Sequence, residues 1–184
     1  MLVFVTTDAA ISPEMLQKAL NYCILDTFNM ISVDRDTSTN DTMIVMANGM
    51  AENEMICSEG MAFDAFKEAL FELSLNLSRA IAKDGEGATK LLECRVSGAK
   101  SSEDARLIAK SVICSPLFKC AMFGADANWG RVLCAIGYAG AQVDVGKVAV
   151  GIKSEAGEIS VCENGGGIEF SEEMEKYIPD FTYQ

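Results

Sequence analysis

The 184-residue sequence contains no histidine. A Ser-His-Asp or Cys-His catalytic unit built from this chain is therefore excluded, and so is a His-ligated zinc site. Any base must be a carboxylate, a lysine or a terminal amine. Bases are scarce as well: 15 Lys and Arg face 27 Asp and Glu, a net charge of −12. That balance argues against a nucleic-acid binder and against a polybasic membrane-surface domain, both of which need a basic face. Only 3 residues are proline, while 49% are hydrophobic and 23% charged, which is not the composition of a disordered chain. Of the 7 cysteines no two are spaced C-x-x-C, so buried free thiols of a reducing, cytoplasmic compartment are expected rather than disulfides or a thiolate metal site. No long apolar run is present: the first basic residue is Lys18, and Met1–Val5 is too short for a signal peptide or a membrane span.

The length suits one compact domain, or one domain with a smaller appendage. Met1–Thr7 reads as a buried strand, which is unusual for a natural terminus and suggests that a segment normally precedes it. Ser12-Pro13-Glu14 predicts a helix start, and the periodicity carries that helix over 13–29. Residues 30–33 and 42–47 read as strands joined by a polar turn. Residues 62–83 carry the longest helical stripe, through Phe66, Leu70, Leu73, Leu77 and Ile81. Leu92, Cys94 and Val96 alternate as a strand, and Ser101 and Asp104 open a helix that stops before Pro116. Leu117–Phe123 reads as an apolar strand and 128–139 as a helix. Strands are expected over 143–152 and 159–162, Asn164–Gly167 as a flexible connection, and a short acidic helix from Ser171. The change from helix-dominated to mixed composition near 84–90 is the candidate boundary.

Three constellations invite a functional reading. Asp34, Asp36 and Asp41 do not fit a calcium loop: counted from Asp34, the positions that need an acid, Gly and Glu are Ser38, Thr39 and Val45. A turn capped by its own side chains fits better. Gly85-Glu86-Gly87-Ala88-Thr89-Lys90 is not a Walker loop, because the order is wrong and an acid between two glycines repels phosphate. Spacing alone leaves Glu86 with two readings: a carboxylate held on a tight loop for a substrate amine, or part of a plain helix stop. Asp126-Ala127-Asn128-Trp129-Gly130-Arg131 holds the only Trp and reads as a structural unit, with Asn128 at a helix start and Arg131 paired to Asp126. Met43, Met46 and Met50 read as core filler.

Taken in order, Met1–Ala9 (MLVFVTTDA), Phe28–Asp34, Asp36–Thr42 (DTSTNDT), Asp84–Lys90 (DGEGATK) and Asn128–Arg131 (NWGR) resemble the β-chain of the bifunctional ornithine acetyltransferase / glutamate N-acetyltransferase family of arginine biosynthesis, over most of the chain to about residue 178. One departure is Arg35, where the family usually has glycine. The resemblance implies an α/β (α+β) fold: a four-layer αββα sandwich of mixed sheets, with 1–85 as part of the catalytic sandwich and 86–184 as a smaller C-terminal α+β lobe. It implies a precursor that cuts itself before a threonine. That threonine then carries acetyl from N-acetylornithine to glutamate, with its own amine as base, which suits a chain without histidine. It implies no metal or nucleotide cofactor, an α-chain that supplies the oxyanion donors, an (αβ)2 heterotetramer, and acetyl-CoA as an open second donor. Glu86 matches the family's substrate-binding glutamate and would pair with a substrate ammonium. The nucleophilic threonine would directly precede Met1, so the resemblance implies an incomplete β-chain with no catalytic residue of its own. Two rival readings are a non-catalytic fragment that binds its α-chain, and a related N-terminal-nucleophile aminopeptidase.

Overall fold

A computed structural model describes residues 1–155 and 157–169. The helix expected from Ser171 lies outside the described residues. The chain divides into two compact units, one of Met1–Ile31 with Arg35–Ile81, the other of Ser32–Asp34 with the chain from Ala82 onward.

The first unit is a β-α-β crossover followed by a long helix. Strands β1 (Leu2–Thr7) and β2 (Thr42–Ala47) pair in parallel, in register from Leu2↔Thr42 to Thr7↔Ala47. Helix α1 (Pro13–Leu25) lies between them in sequence, as parallel pairing requires a crossover. It starts where Ser12-Pro13 predicts: the Ser12 hydroxyl accepts the Met15 N–H at 3.3 Å, and Pro13 occupies the first turn. It stops at Leu25, short of the expected 29. There the buried Thr27 hydroxyl donates to the Cys23 carbonyl at 2.7 Å, and Phe28–Met30 tightens into a 3-10 turn. Helix α2 (Met61–Lys83) matches the predicted bounds closely, but its buried residues are Phe63, Leu70, Ser74 and Ser78, and Leu73 of the expected stripe is exposed. Val3 and Val5 on one face of the sheet join Met15, Ala19 and Cys23 of α1 and Phe63 and Leu70 of α2 in one buried cluster. The alternate residues remain uncovered: Leu2 is 67% and Phe4 60% exposed, and Ile44 and Met46 of β2 are exposed too.

The second unit packs three helices against an antiparallel meander. Helix α3 (Ser102–Ile113) is capped by Ser101, whose hydroxyl accepts the Asp104 N–H at 3.1 Å. Helix α4 (Pro116–Phe123) replaces the strand expected there. Ser115 caps it through the Phe118 N–H at 3.3 Å, Pro116 pre-sets the first turn, and Phe118, Ala121 and Met122 are buried at helical spacing. Helix α5 (Trp129–Gly137) begins at Asn128, whose Oδ1 accepts the Arg131 N–H at 3.2 Å. Strands β3 (Val150–Ser154), β4 (Gly157–Glu163) and β5 (Gly166–Gly167) follow as neighbours. Phe118, Ile152, Val112 and Val161 are the largest fully buried apolar side chains of this core.

Two further expectations are corrected. Residues 30–33 and 92–96 form no strand. Leu92, Cys94 and Val96 pack against the core with no ladder partner among the described residues, so there the alternation reports burial. Asn164–Gly167 is a packed hairpin rather than a flexible connection. Gly165 adopts φ +73°, and a Cβ there would stand 2.4 Å from the Val145 carbonyl oxygen. A Cβ on Gly167 would stand 2.4 Å from Cζ2 of Trp129.

Candidate functional site

Glu86 stands on a turn that follows the last residue of α2. The Ala88 N–H closes the turn on the Gly85 carbonyl at 2.9 Å, and Gly87 supplies φ +70° at its third position. At Gly85 a Cβ would meet ordinary van der Waals contact, 3.4 Å from the Ala82 carbonyl oxygen and 3.6 Å from Val33 Cγ1. The left-handed backbone of Gly87 is what calls for glycine in this turn. Between the two glycines the Glu86 side chain is exposed, and among the described residues it has no hydrogen-bond or ion-pair partner. The turn sets out a carboxylate that the described residues leave unpaired.

Two lysines fasten this turn within the second unit. Lys90 Nζ donates to the Met122 carbonyl at 2.8 Å, at the C-terminal, negative end of the α4 dipole. Lys119, on α4 itself, donates to the carbonyls of Ser32 (3.3 Å) and Val33. The segment 32–34, the turn 84–90 and α4 therefore meet. Neither lysine role was read from the sequence. The available signal was Lys119 standing alone in the apolar run Pro116–Phe123.

The Asp126–Arg131 block is structural in its visible bonds. Asn128 Nδ2 donates to Asp126 Oδ2 at 2.9 Å, taking the place expected for Arg131, whose backbone N–H is bound by the Asn128 cap instead. The Asp34–Asp41 stretch holds itself together, as a self-capped turn should. Ser38 Oγ accepts the Asn40 N–H at 3.1 Å, and Thr42 Oγ1 donates to the Asn40 carbonyl at 3.1 Å. Asp41 Oδ1 lies 2.8 Å from the Met1 ammonium, and this hydrogen bond holds the carboxyl below its ordinary range. Among the described residues no group of three His, Cys, Asp or Glu is placed to hold a metal ion. Burial pushes the Cys23 and Cys94 thiols up to about 11, leaving both protonated at neutral pH and poor nucleophiles. Thr6 and Thr7 lie within β1, where neither offers a free amine. No described helix is long and apolar enough to cross a membrane.

The likenesses to known proteins converge. The chain is 50% identical over 180 residues to the arginine biosynthesis bifunctional protein ArgJ 1 of Clostridium acetobutylicum, which covers 98% of this chain and 44% of that protein. It is 54% identical over 178 residues to the arginine biosynthesis bifunctional protein ArgJ of Caldanaerobacter subterraneus, covering 97% of this chain and 44% of that protein. The crystal structure of the Bacillus halodurans protein of the same name superposes with a TM-score of 0.90 at 44% identity, covering 99% of this chain and 85% of that one. The chain thus spans somewhat under half the length of the curated relatives it matches. The mixed α/β architecture seen here is that of the Bacillus halodurans structure. With the ArgJ family model matching residues 1–180, nearly the whole sequence, the chain belongs to the ArgJ family.

Proposed function

We propose that this chain is part of a self-processing N-acetyltransferase of arginine biosynthesis, moving acetyl from N-acetylornithine to glutamate through an acyl-threonine intermediate. The observation that carries this reading is the unpaired carboxylate of Glu86, held on a constrained turn inside a sequence of this family. In the first half-reaction a threonine hydroxyl attacks the acetyl carbonyl, the hydroxyl proton passes through the threonine's own amine to the leaving nitrogen, and ornithine departs. In the second, the glutamate amine attacks the acetyl ester and the hydroxyl is regenerated. Glu86 binds the substrate ammonium and so orients the reacting carbonyl.

The proposed assembly pairs this β-chain with an α-chain in an (αβ)2 heterotetramer in the cytoplasm, with acetyl-CoA as a second possible donor. Residues 1–85 would form part of a four-layer αββα sandwich and 86–184 the C-terminal lobe. The bare face of the β1–β2 sheet supports a covering chain. Parallel sheets are found covered on both sides, yet Leu2, Phe4, Ile44 and Met46 face outward.

The test is a chimera in which this chain replaces the segment it matches in the Clostridium acetobutylicum relative, assayed for N-acetylglutamate formed from N-acetylornithine and glutamate. Glu86→Gln keeps the shape and removes the charge. Losing one side of a buried charge pair costs about 2–5 kcal/mol, roughly 30- to several-thousand-fold in kcat/KM. An inactive chimera that folds and assembles, or a Glu86→Gln variant with unchanged kcat/KM, would refute the reading.

A further inference from the structure

Two lysine ammonium groups fasten the segments that carry and support the Glu86 turn. A lysine four residues from a carboxylate is a ready internal partner, and in an acidic chain an unengaged cation would cancel the charge the turn displays. Lys90 is instead committed to the Met122 carbonyl at 2.8 Å. Lys119 is committed to the carbonyls of Ser32 and Val33, and Val33 in turn supplies the wall beside Gly85. Both lysines act through the same short helix: α4 carries Lys119 and offers its own C-terminal carbonyl to Lys90.

We propose that α4 is a clamp on the Glu86 turn, with Lys90 and Lys119 as positioning residues that fasten the turn and its supporting segment while keeping both cations away from the Glu86 carboxylate. The proposal rests on the substrate-binding reading of Glu86. Its first consequence concerns the chain alone: without the Lys90 ammonium, one end of the turn has no fastening. Its second concerns chemistry. A carboxylate on a loosened turn still attracts an ammonium, but it must be ordered on each binding event, so the loss falls on KM for amine-bearing substrates more than on kcat.

The experiment has two arms. In the 184-residue chain, backbone 15N order parameters are measured at Glu86, Gly87 and Ala88. The expected result is a rigid turn near about 0.85 in the wild type, falling below about 0.6 in Lys90→Met, with Lys90→Arg close to wild type. Lys119→Met provides a second variant if Lys90→Met fails to fold. An unchanged turn in a folded Lys90→Met or Lys119→Met variant overturns the clamp, whatever Glu86 does. In the chimera described above, Lys90→Met should raise KM for N-acetylornithine about tenfold with kcat within about twofold, and should add nothing when Glu86 is already Gln. An equal loss in both backgrounds overturns positioning through Glu86 in favour of a general structural role. A silent Glu86→Gln beside a loosened turn in Lys90→Met refutes the substrate reading and leaves the fastening established.

Discussion

Gly167→Ala should destabilise the second unit through one identifiable collision. The new Cβ would lie 2.4 Å from Cζ2, 2.7 Å from Cε2 and 2.9 Å from Nε1 of Trp129, all far inside van der Waals contact. The indole cannot simply swing aside, because Trp129 opens α5 beside the Asn128 cap and packs against the core that contains Val132 and Ala135. The alternative is to lift β5 from β4 and lose the Cys162↔Gly167 pairing. Overpacking of this kind costs about 1–3 kcal/mol. At about 2 kcal/mol the folded-to-unfolded ratio falls roughly 30-fold, well within reach of a urea titration followed by far-UV circular dichroism. The decisive control is Trp129→Leu, which removes the colliding atoms. It should destabilise on its own account, yet within that background Gly167→Ala should cost less than about 0.5 kcal/mol, giving a coupling near 2 kcal/mol. A full cost that persists in the Trp129→Leu background, or no cost with Trp129 in place, would refute the collision as the cause.

Three further outcomes follow from exposure and charge. At pH 8 the exposed thiols Cys57, Cys120 and Cys134 should react with a disulfide reagent at once, and the buried Cys23 and Cys162 only on unfolding; early labelling of Cys162 would contradict its burial. Because burial raises the Cys23 and Cys94 thiols from 9.0 to about 11, the unfolded chain releases their protons first. Stability is therefore whole below about pH 9 and declines towards pH 11, less steeply in Cys94→Val, as urea midpoints across that range will show. The bare β1–β2 face should make the 184-residue chain self-associate with rising concentration, and Phe4→Asp should suppress this in sedimentation; a wild-type chain that stays monomeric would remove the support for a covering partner.

Elements with a local signature were legible in the sequence. Helices α1, α3 and α5 announce their starts through Ser12, Ser101 and Asn128, each of which caps as its residue type predicts. Helix α2 needs no cap to be read, because its stripe runs for about six turns. The failures are short apolar segments, where period-2 and period-3.6 readings overlap. Leu117–Phe123 is too brief for periodicity to decide, and the deciding signal was Ser115-Pro116 just before it. A strand also requires a neighbour, which is not a property of its own residues, and Leu92–Val96 pairs with no strand among the described residues. At the candidate site, spacing alone left Glu86 with two readings, and it was the family resemblance that singled it out. The lysines that support it bind backbone carbonyls 32 to 87 residues away, and a carbonyl carries no residue identity by which a sequence could reveal it.

Arg35 holds a left-handed backbone whose cost is measurable. It adopts φ +80°, beyond the values of +50° to +57° at Glu52, Ala125 and Asn164, the other non-glycine residues with positive φ. Its side chain is exposed and has no hydrogen-bond or ion-pair partner among the described residues, so nothing local offsets the strain. A left-handed conformation costs a residue with a Cβ about 1–2 kcal/mol, and glycine escapes this while adding about 0.5–1 kcal/mol of unfolded-state entropy. The difference predicts that Arg35→Gly stabilises the chain by about 0.5–1 kcal/mol, a rise of roughly 1–4 °C in Tm at this chain length. Removing a cation from a chain of net charge −12 opposes the gain slightly through added repulsion. Arg35→Ala carries the same charge change and keeps the Cβ, so the difference between the two variants isolates the backbone effect. Arg35→Gly should melt above Arg35→Ala by a margin that salt leaves unchanged. Identical melting of the two variants would mean that the backbone at residue 35 relaxes at no cost.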